Sequence, residues 1–231
     1  TTHWSVVMQA GHEQSGVGTV ALEKLCRTYW YPLYAFVRRL GHTEADAKDL
    51  TQEFFARLLA RRDFQNVAAR KGKFRTFLLV SLQHYLSNQR DHDRAAKRGG
   101  DKIIISLDAL PAESLQPWEP STTQTPGQLF DQRWAMTLLA ETARRLEEEM
   151  GAAGKAESFA ALKTFLTNEP RDGEYLALAQ QLGSSSSAIA VTVHRLRQRY
   201  RELVRAEVAN TVASPTEVEE EMRHLFAALN T

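Results

Sequence analysis

The chain is short of most features that would make it secreted, membrane-spanning or catalytic. Its 231 residues include a single cysteine, Cys26, so no internal disulfide can form, and a reducing cytoplasm is the expected compartment. Cys26 sits among apolar neighbours in "LEKLCRTYWY" and reads as a packed, inert thiol. No apolar run approaches the roughly 18 residues that a membrane span needs, and no signal peptide is visible. The histidines (His3, His12, His42, His84, His92, His194, His224) are scattered. There is no G-x-S-x-G, no phosphate-binding glycine loop and no zinc-ligand spacing. The expectation is a chain that is not an enzyme and needs no cofactor or metal.

Net charge is also nearly absent, at +1, but the balance hides segregation. From Arg61 to Lys102, Lys and Arg exceed Asp and Glu by roughly seven, whereas from Glu113 to Glu174 the acids lead by about five. Arg195 to Arg205 is basic again, and "EVEEEM" near the end is acidic. Two basic segments separated by an acidic one point to two nucleic-acid contacts.

What is present is helical periodicity almost throughout, so an all-α fold is expected. "THWSVVMQA" opens a short helix that "QSGVG" breaks. Leu22, Leu25, Tyr29, Leu33, Phe36 and Leu40 line one side of a long helix that Pro32 should kink or divide. Gly41 stops it, and Thr43 is a candidate N-cap for the next. Phe74, Phe77, Leu78, Leu82, Tyr85 and Leu86 supply the core side of a third. "GGDKIIISLDALPAESLQPWEPSTTQTPGQ" then loses the period and is dense in Gly, Pro, Ser and Thr. A structureless stretch that long argues for a linker between two domains. The expected organisation is a first helical domain over 1–98, a linker over 99–127, a second helical domain over 128–207, and a charged helical extension over 208–231. That extension starts well at Ser214–Pro215 and shows an apolar edge of Val218, Met222, Leu225, Phe226 and Leu229. It is expected to pack on the second domain and tune DNA binding.

"DAKDLTQEFFARLLAR" carries two messages on one helix. Leu50, Phe54 and Leu58 recur every four residues, widened by Phe55 and Leu59 into a core stripe. Asp46, Asp49, Gln52 and Glu53 make an acidic surface on the other side. It could be a solvated face held by pairs such as Glu53 to Arg57. It has no histidine at metal-ligand spacing, since His42 precedes the helix. Thr51 and the serine turn 184–187 are candidate phosphorylation sites.

In the second domain, Tyr175, Leu178, Ala179 and Leu182 form one buried helix side, Gly183 suits a tight turn, and a serine of "SSSS" can cap the next helix. Ile189, Val193, Leu196, Tyr200 and Leu203 seat that helix, leaving Ser187, Thr192, His194, Arg195, Arg197, Gln198, Arg199 and Arg201 on its other faces. These are the parts of a DNA-reading helix-turn-helix, with hydroxyls able to reach base edges and guanidinium groups able to hold phosphates.

Together, "DAKDLTQEFFARLL", "GKFRTFLLVSLQHYLSNQRD" and "VHRLRQRY" resemble the corresponding motifs of bacterial RNA polymerase sigma factors of the extracytoplasmic-function branch of the sigma-70 family. The resemblance covers about 22–98 and 173–205. It implies a region 2 helical bundle and a region 4 helix-turn-helix. It also implies that Asp46, Asp49, Gln52 and Glu53 dock on the basic clamp helices of the largest subunit of core polymerase. Phe64, Gln65, Lys71, Lys73, Arg75, Asn88 and Arg90 would contact the −10 element as its strands part, with Phe64 and Gln65 as base-pocket candidates and Phe77 as core. Ser187, Thr192, His194, Arg195, Arg197 and Arg199 would read the −35 element. Ala190 and Thr192 replace the family's usual Lys and Arg there, and 129–172 replaces its usual short motif with a longer connection. Asp108, Glu113 and Glu119 of the linker would thread the polymerase channel, and an anti-sigma factor is a further implied partner. The alternative reading is a stand-alone helix-turn-helix regulator with an N-terminal interaction domain.

Overall fold

The computed structural model describes residues 16–61, 73–96 and 123–230, and among them there are helices and turns but no strand. The all-α expectation holds. The helices are α1 (Gly16–Arg39), α2 (Glu44–Arg61), α3 (Phe74–Ala96), α4 (Pro126–Ala152), α5 (Ala156–Leu162), α6 (Glu174–Gln181), α7 (Ser186–Ala209) and α8 (Val218–Leu229). The expected short helix over 2–10 lies outside the described residues, and Gly16 and Gly18, expected to break the chain, are already inside α1. Pro32 is likewise enclosed in α1.

The chain forms two compact units. One is built from residues up to Thr137 together with Val208 onward, the other from Leu138–Glu207. The unit boundaries therefore fall inside α4 and α7 and not in the linker expected at 99–127. The segment 97–122 lies outside the described residues.

In the first unit α1 turns Tyr29, Leu33, Phe36 and Val37 inward, all buried, while Leu40, expected on that side, is exposed at the helix end. Gly41 takes φ +94, the left-handed conformation that ends helices without a Cβ penalty. Thr43 then caps α2: its Oγ1 accepts from the Asp46 backbone N–H at 3.2 Å and donates to Asp46 Oδ2 at 2.7 Å. Ala47, Phe54, Phe55 and Leu58 of α2 face Phe74, Leu78, Leu82, Tyr85 and Leu86 of α3, all buried. The Tyr29 ring meets Phe74 edge-on at 5.1 Å, and Phe54 lies 5.9 Å from Tyr85.

Two later segments complete this core. Thr125 and Gln128 cap α4 reciprocally, with Thr125 N–H donating to Gln128 Oε1 and Gln128 N–H donating to Thr125 Oγ1. Its first turns then bury Leu129, Phe130, Trp134 and Ala135. After α7, Val208 and Val212 are fully buried, and the Phe74 N–H donates to the Thr211 carbonyl at 3.1 Å. Ser214 starts the final segment with a capping box to Glu217, and α8 buries Val218, Glu221, Leu225 and Ala228.

That placement corrects the expectation for the extension, which belongs to the first unit and not to the second. The buried stripe of α8 is also rotated from the expected apolar edge. Phe226 is exposed and Glu221 is fully buried. A carboxylate on the inward face needs a cation opposite it, and Lys73 and Arg75 of the first unit supply that charge.

The second unit packs Leu146, Phe159, Leu162, Phe165, Ala179, Ile189, Val193, Leu196 and Leu203 into one core, with Tyr175, Leu178, Leu182 and Tyr200 against it. Gly183 adopts φ +60 between α6 and α7, and the Ala188 N–H donates to Ser185 Oγ, which caps α7.

Candidate polymerase-docking face and nucleic-acid interface

On α2 the acidic residues divide by what already holds them. Asp49 is exposed and Gln52 half-buried, while Asp46 is exposed but engaged in the Thr43 cap. Glu53 is committed within the unit. Its Oε1 pairs with Arg57 at 2.5 Å, and its Oε2 accepts from Tyr85 Oη at 2.8 Å and Gln89 Nε2 at 3.2 Å. Gln89 also donates to Tyr85 Oη at 2.9 Å, and the Arg57 guanidinium lies 5.1 Å from the centre of the Tyr85 ring. Burial, with the Glu53 carboxylate adding to it, drives the Tyr85 phenol well above its ordinary range, so it stays a donor. Glu53 thus ties α2 to α3 through the bonds from Tyr85 and Gln89, while its i,i+4 pair with Arg57 stays within α2. Thr51 is fully buried, and its Oγ1 donates to the Ala47 carbonyl at 2.7 Å. No kinase can reach it in the folded chain, which corrects its candidacy for phosphorylation.

The start of α3 holds the two described cations of the expected −10 set, and both are occupied. Arg75 Nε lies 2.5 Å from Glu221 Oε1, Nη2 donates to Oε2 at 3.4 Å, and Nη1 reaches Asp131 Oδ1 at 3.0 Å. Its guanidinium also lies 5.5 Å from the centre of the Trp134 ring, within cation–π range. Lys73 Nζ is 2.7 Å from Glu220 Oε1 and 3.2 Å from Glu221 Oε2. Partial burial would lower the Lys73 ammonium, but the bonds to Glu220 and Glu221 outweigh it and hold Lys73 above its usual range. The bond from Lys73 in turn holds Glu220 below the usual carboxylate range. His224 Nε2 lies 3.2 Å from the other Asp131 oxygen. Asn88 is exposed on α3. Arg90 is within α3, but its side chain, like all of Phe64, Gln65 and Lys71, lies outside the described residues.

In the second unit, Ser187, His194 and Arg195 are exposed on α7. Thr192 is half-buried and donates back to the Ala188 carbonyl at 2.8 Å. Arg197 is turned inward: Nε donates to the Phe165 carbonyl at 2.7 Å, Nη2 to the Asn168 carbonyl at 2.8 Å, and Nη1 pairs with Glu169. It closes the 3₁₀ turn Lys163–Leu166 that follows α5. Arg199 forks onto Glu149 of α4 at 2.9 and 3.1 Å, a contact that holds the Glu149 carboxyl below its ordinary range. The face of α7 therefore divides into residues that hold the unit, Arg197 and Arg199, and residues that do not, Ser187, His194 and Arg195.

Sequence reasoning missed the carboxylates that meet Lys73 and Arg75. A signal was available. Val218, Glu221, Leu225 and Ala228 follow helical spacing, which puts Glu221 in the middle of the apolar stripe and demands a buried partner.

Residues 25–94, most of α1 with all of α2 and nearly all of α3, match the family model for sigma-70 region 2. This stretch is similar to sigma-70 region 2, and the similarity supports a sigma factor role in binding RNA polymerase and opening promoters. No curated protein and no solved structure matches the chain. Among the described residues no helix is long and apolar enough to cross a membrane.

Proposed function

We propose that the chain is a cytoplasmic sigma factor of the extracytoplasmic-function branch, not an enzyme by itself, that lends promoter choice to core RNA polymerase. The observation that carries this reading is the region 2 match over 25–94, coupled to a docking helix whose Asp49 stays exposed beside Gln52. Basic clamp helices of the largest polymerase subunit would meet this face, with Asp49 as the principal charge and Asp46 and Gln52 around it. Glu53 serves mainly to brace that helix on α3.

The basic start of α3, Lys73 and Arg75, with Asn88 and Arg90 further along, would hold the −10 region as its strands part. The second unit would read the −35 element as a helix-turn-helix through Ser187, Thr192, His194 and Arg195. Arg197 and Arg199, occupied by Phe165, Asn168 and Glu149, shape that surface rather than touch DNA. An anti-sigma factor that covers the Asp49 face would silence the protein.

The test is binding of the full chain to bacterial core polymerase, comparing wild type with Asp49→Arg. Tight binding that the variant loses, with its fold intact, supports the proposal. A folded wild-type chain that ignores core polymerase but binds specific duplex DNA would replace it with the stand-alone regulator.

A further inference from the structure

We propose that α8 is an intramolecular competitor of promoter DNA: its carboxylates Glu220 and Glu221 occupy Lys73 and Arg75, so a nucleic-acid backbone reaches these cations only when α8 gives them up. The proposal rests on the assignment of Lys73 and Arg75 to the −10 contact.

The geometry is that of substitution. A guanidinium binds a phosphate through the same planar fork that binds a carboxylate, and the Arg75 fork is already used by Glu221 at Nε and Nη2 and by Asp131 at Nη1. Lys73 presents its ammonium to Glu220 and Glu221 together. The two pairs differ in depth. Glu221 has no exposed surface, whereas the Glu220 side chain is 65% exposed on the outer side of Lys73. The outer pair can therefore open first, with the inner pair still anchoring the helix.

The competitor also needs no great strength. α8 is tethered in the same chain, so it meets Lys73 at a high effective concentration. A site open only part of the time binds its ligand with an affinity reduced by that fraction.

The discriminating experiment uses the full-length chain and a fluorescein-labelled single-stranded oligodeoxynucleotide. Anisotropy titrations compare wild type, Glu220→Gln, Lys73→Ala and the double variant. Glu220→Gln is expected to bind roughly three- to tenfold more tightly than wild type, the range that loss of one partly exposed ion pair can release. Lys73→Ala is expected to bind more weakly, and in that background Glu220→Gln should bring no gain. A gain that persists without Lys73 is a general charge effect and overturns the competitor. No gain from Glu220→Gln, while Lys73→Ala still weakens binding, overturns the competitor and leaves the −10 assignment standing. If Lys73→Ala changes nothing, the −10 assignment of Lys73 fails and the competitor falls with it.

Discussion

Arg75 and Glu221, 146 positions apart in the chain, form a two-point ion pair inside the first unit, with Nε 2.5 Å from Oε1 and Nη2 3.4 Å from Oε2. The contact fastens the last helix of the chain to the start of α3. It also decides the character of the site, since a cation expected to face DNA is held as the counter-charge of a buried carboxylate.

Removing one partner of this pair should cost far more than removing both. Arg75→Ala leaves Glu221 buried without its main cation and is expected to destabilise the first unit by about 3–5 kcal/mol, whereas a double Arg75→Met/Glu221→Leu variant should recover most of that loss. Urea unfolding followed by tryptophan fluorescence, to which buried Trp134 reports directly, checks both. Equal losses in the two variants would mean that the pair is not coupled.

Glu53 and Asp49 share one helix but should separate cleanly by substitution. Glu53→Ala strips the acceptor from Tyr85 and Gln89 and should lower stability by about 1–3 kcal/mol. Asp49→Ala, at an exposed position, should stay within about 0.5 kcal/mol of wild type while weakening polymerase binding. Thermal melts beside a polymerase pull-down separate the two effects.

Arg197 and Arg195 should behave as opposites. Arg197→Ala removes charge-assisted bonds to the Phe165 and Asn168 carbonyls and is expected to cost the second unit about 1.5–3 kcal/mol. Arg195→Ala should leave stability unchanged and weaken duplex binding with a shallower salt dependence. Calorimetry and salt-titrated DNA binding check the pair.

Tyr200 should make the second unit sensitive to alkali. Burial pushes its phenol from 10.0 up to about 12, and the neutral hydroxyl donates to the Leu139 carbonyl at 3.0 Å. Because the folded value lies above the unfolded one, its contribution is fully present below pH 10 and is lost as pH climbs toward 12. Tyr200→Phe should flatten stability over that window, measured by unfolding at a series of alkaline pH values.

Much of this was legible in the sequence because helices advertise their faces. The stripe through Phe54 and Leu58, the Thr43 cap, the Gly183 turn and the Ile189–Leu203 seam all follow from period and capping chemistry, and each stands as expected. What period cannot supply is the identity of the partner face. The edge of α8 said that it packs, not on what, and only the buried Glu221 carried that information. The same limit hid the roles of Arg197 and Arg199, whose acceptors come from carbonyls and carboxylates distant in sequence. The start of α4 was hidden for a different reason. The Thr125–Gln128 capping box lay in a stretch whose Pro, Gly and Thr content read as linker.

The contact between Thr211 and Phe74 has a consequence for synthesis. Chains fold from the N-terminus as they leave the ribosome, and the helices over 25–94 are made long before Val208 and Val212 exist to finish their core. Throughout that interval the nascent protein holds Lys73 and Arg75 without the carboxylates of α8. Translation order alone therefore produces a basic early species and a neutralised mature one, and a ribosome stalled before Val208 leaves the first of these behind.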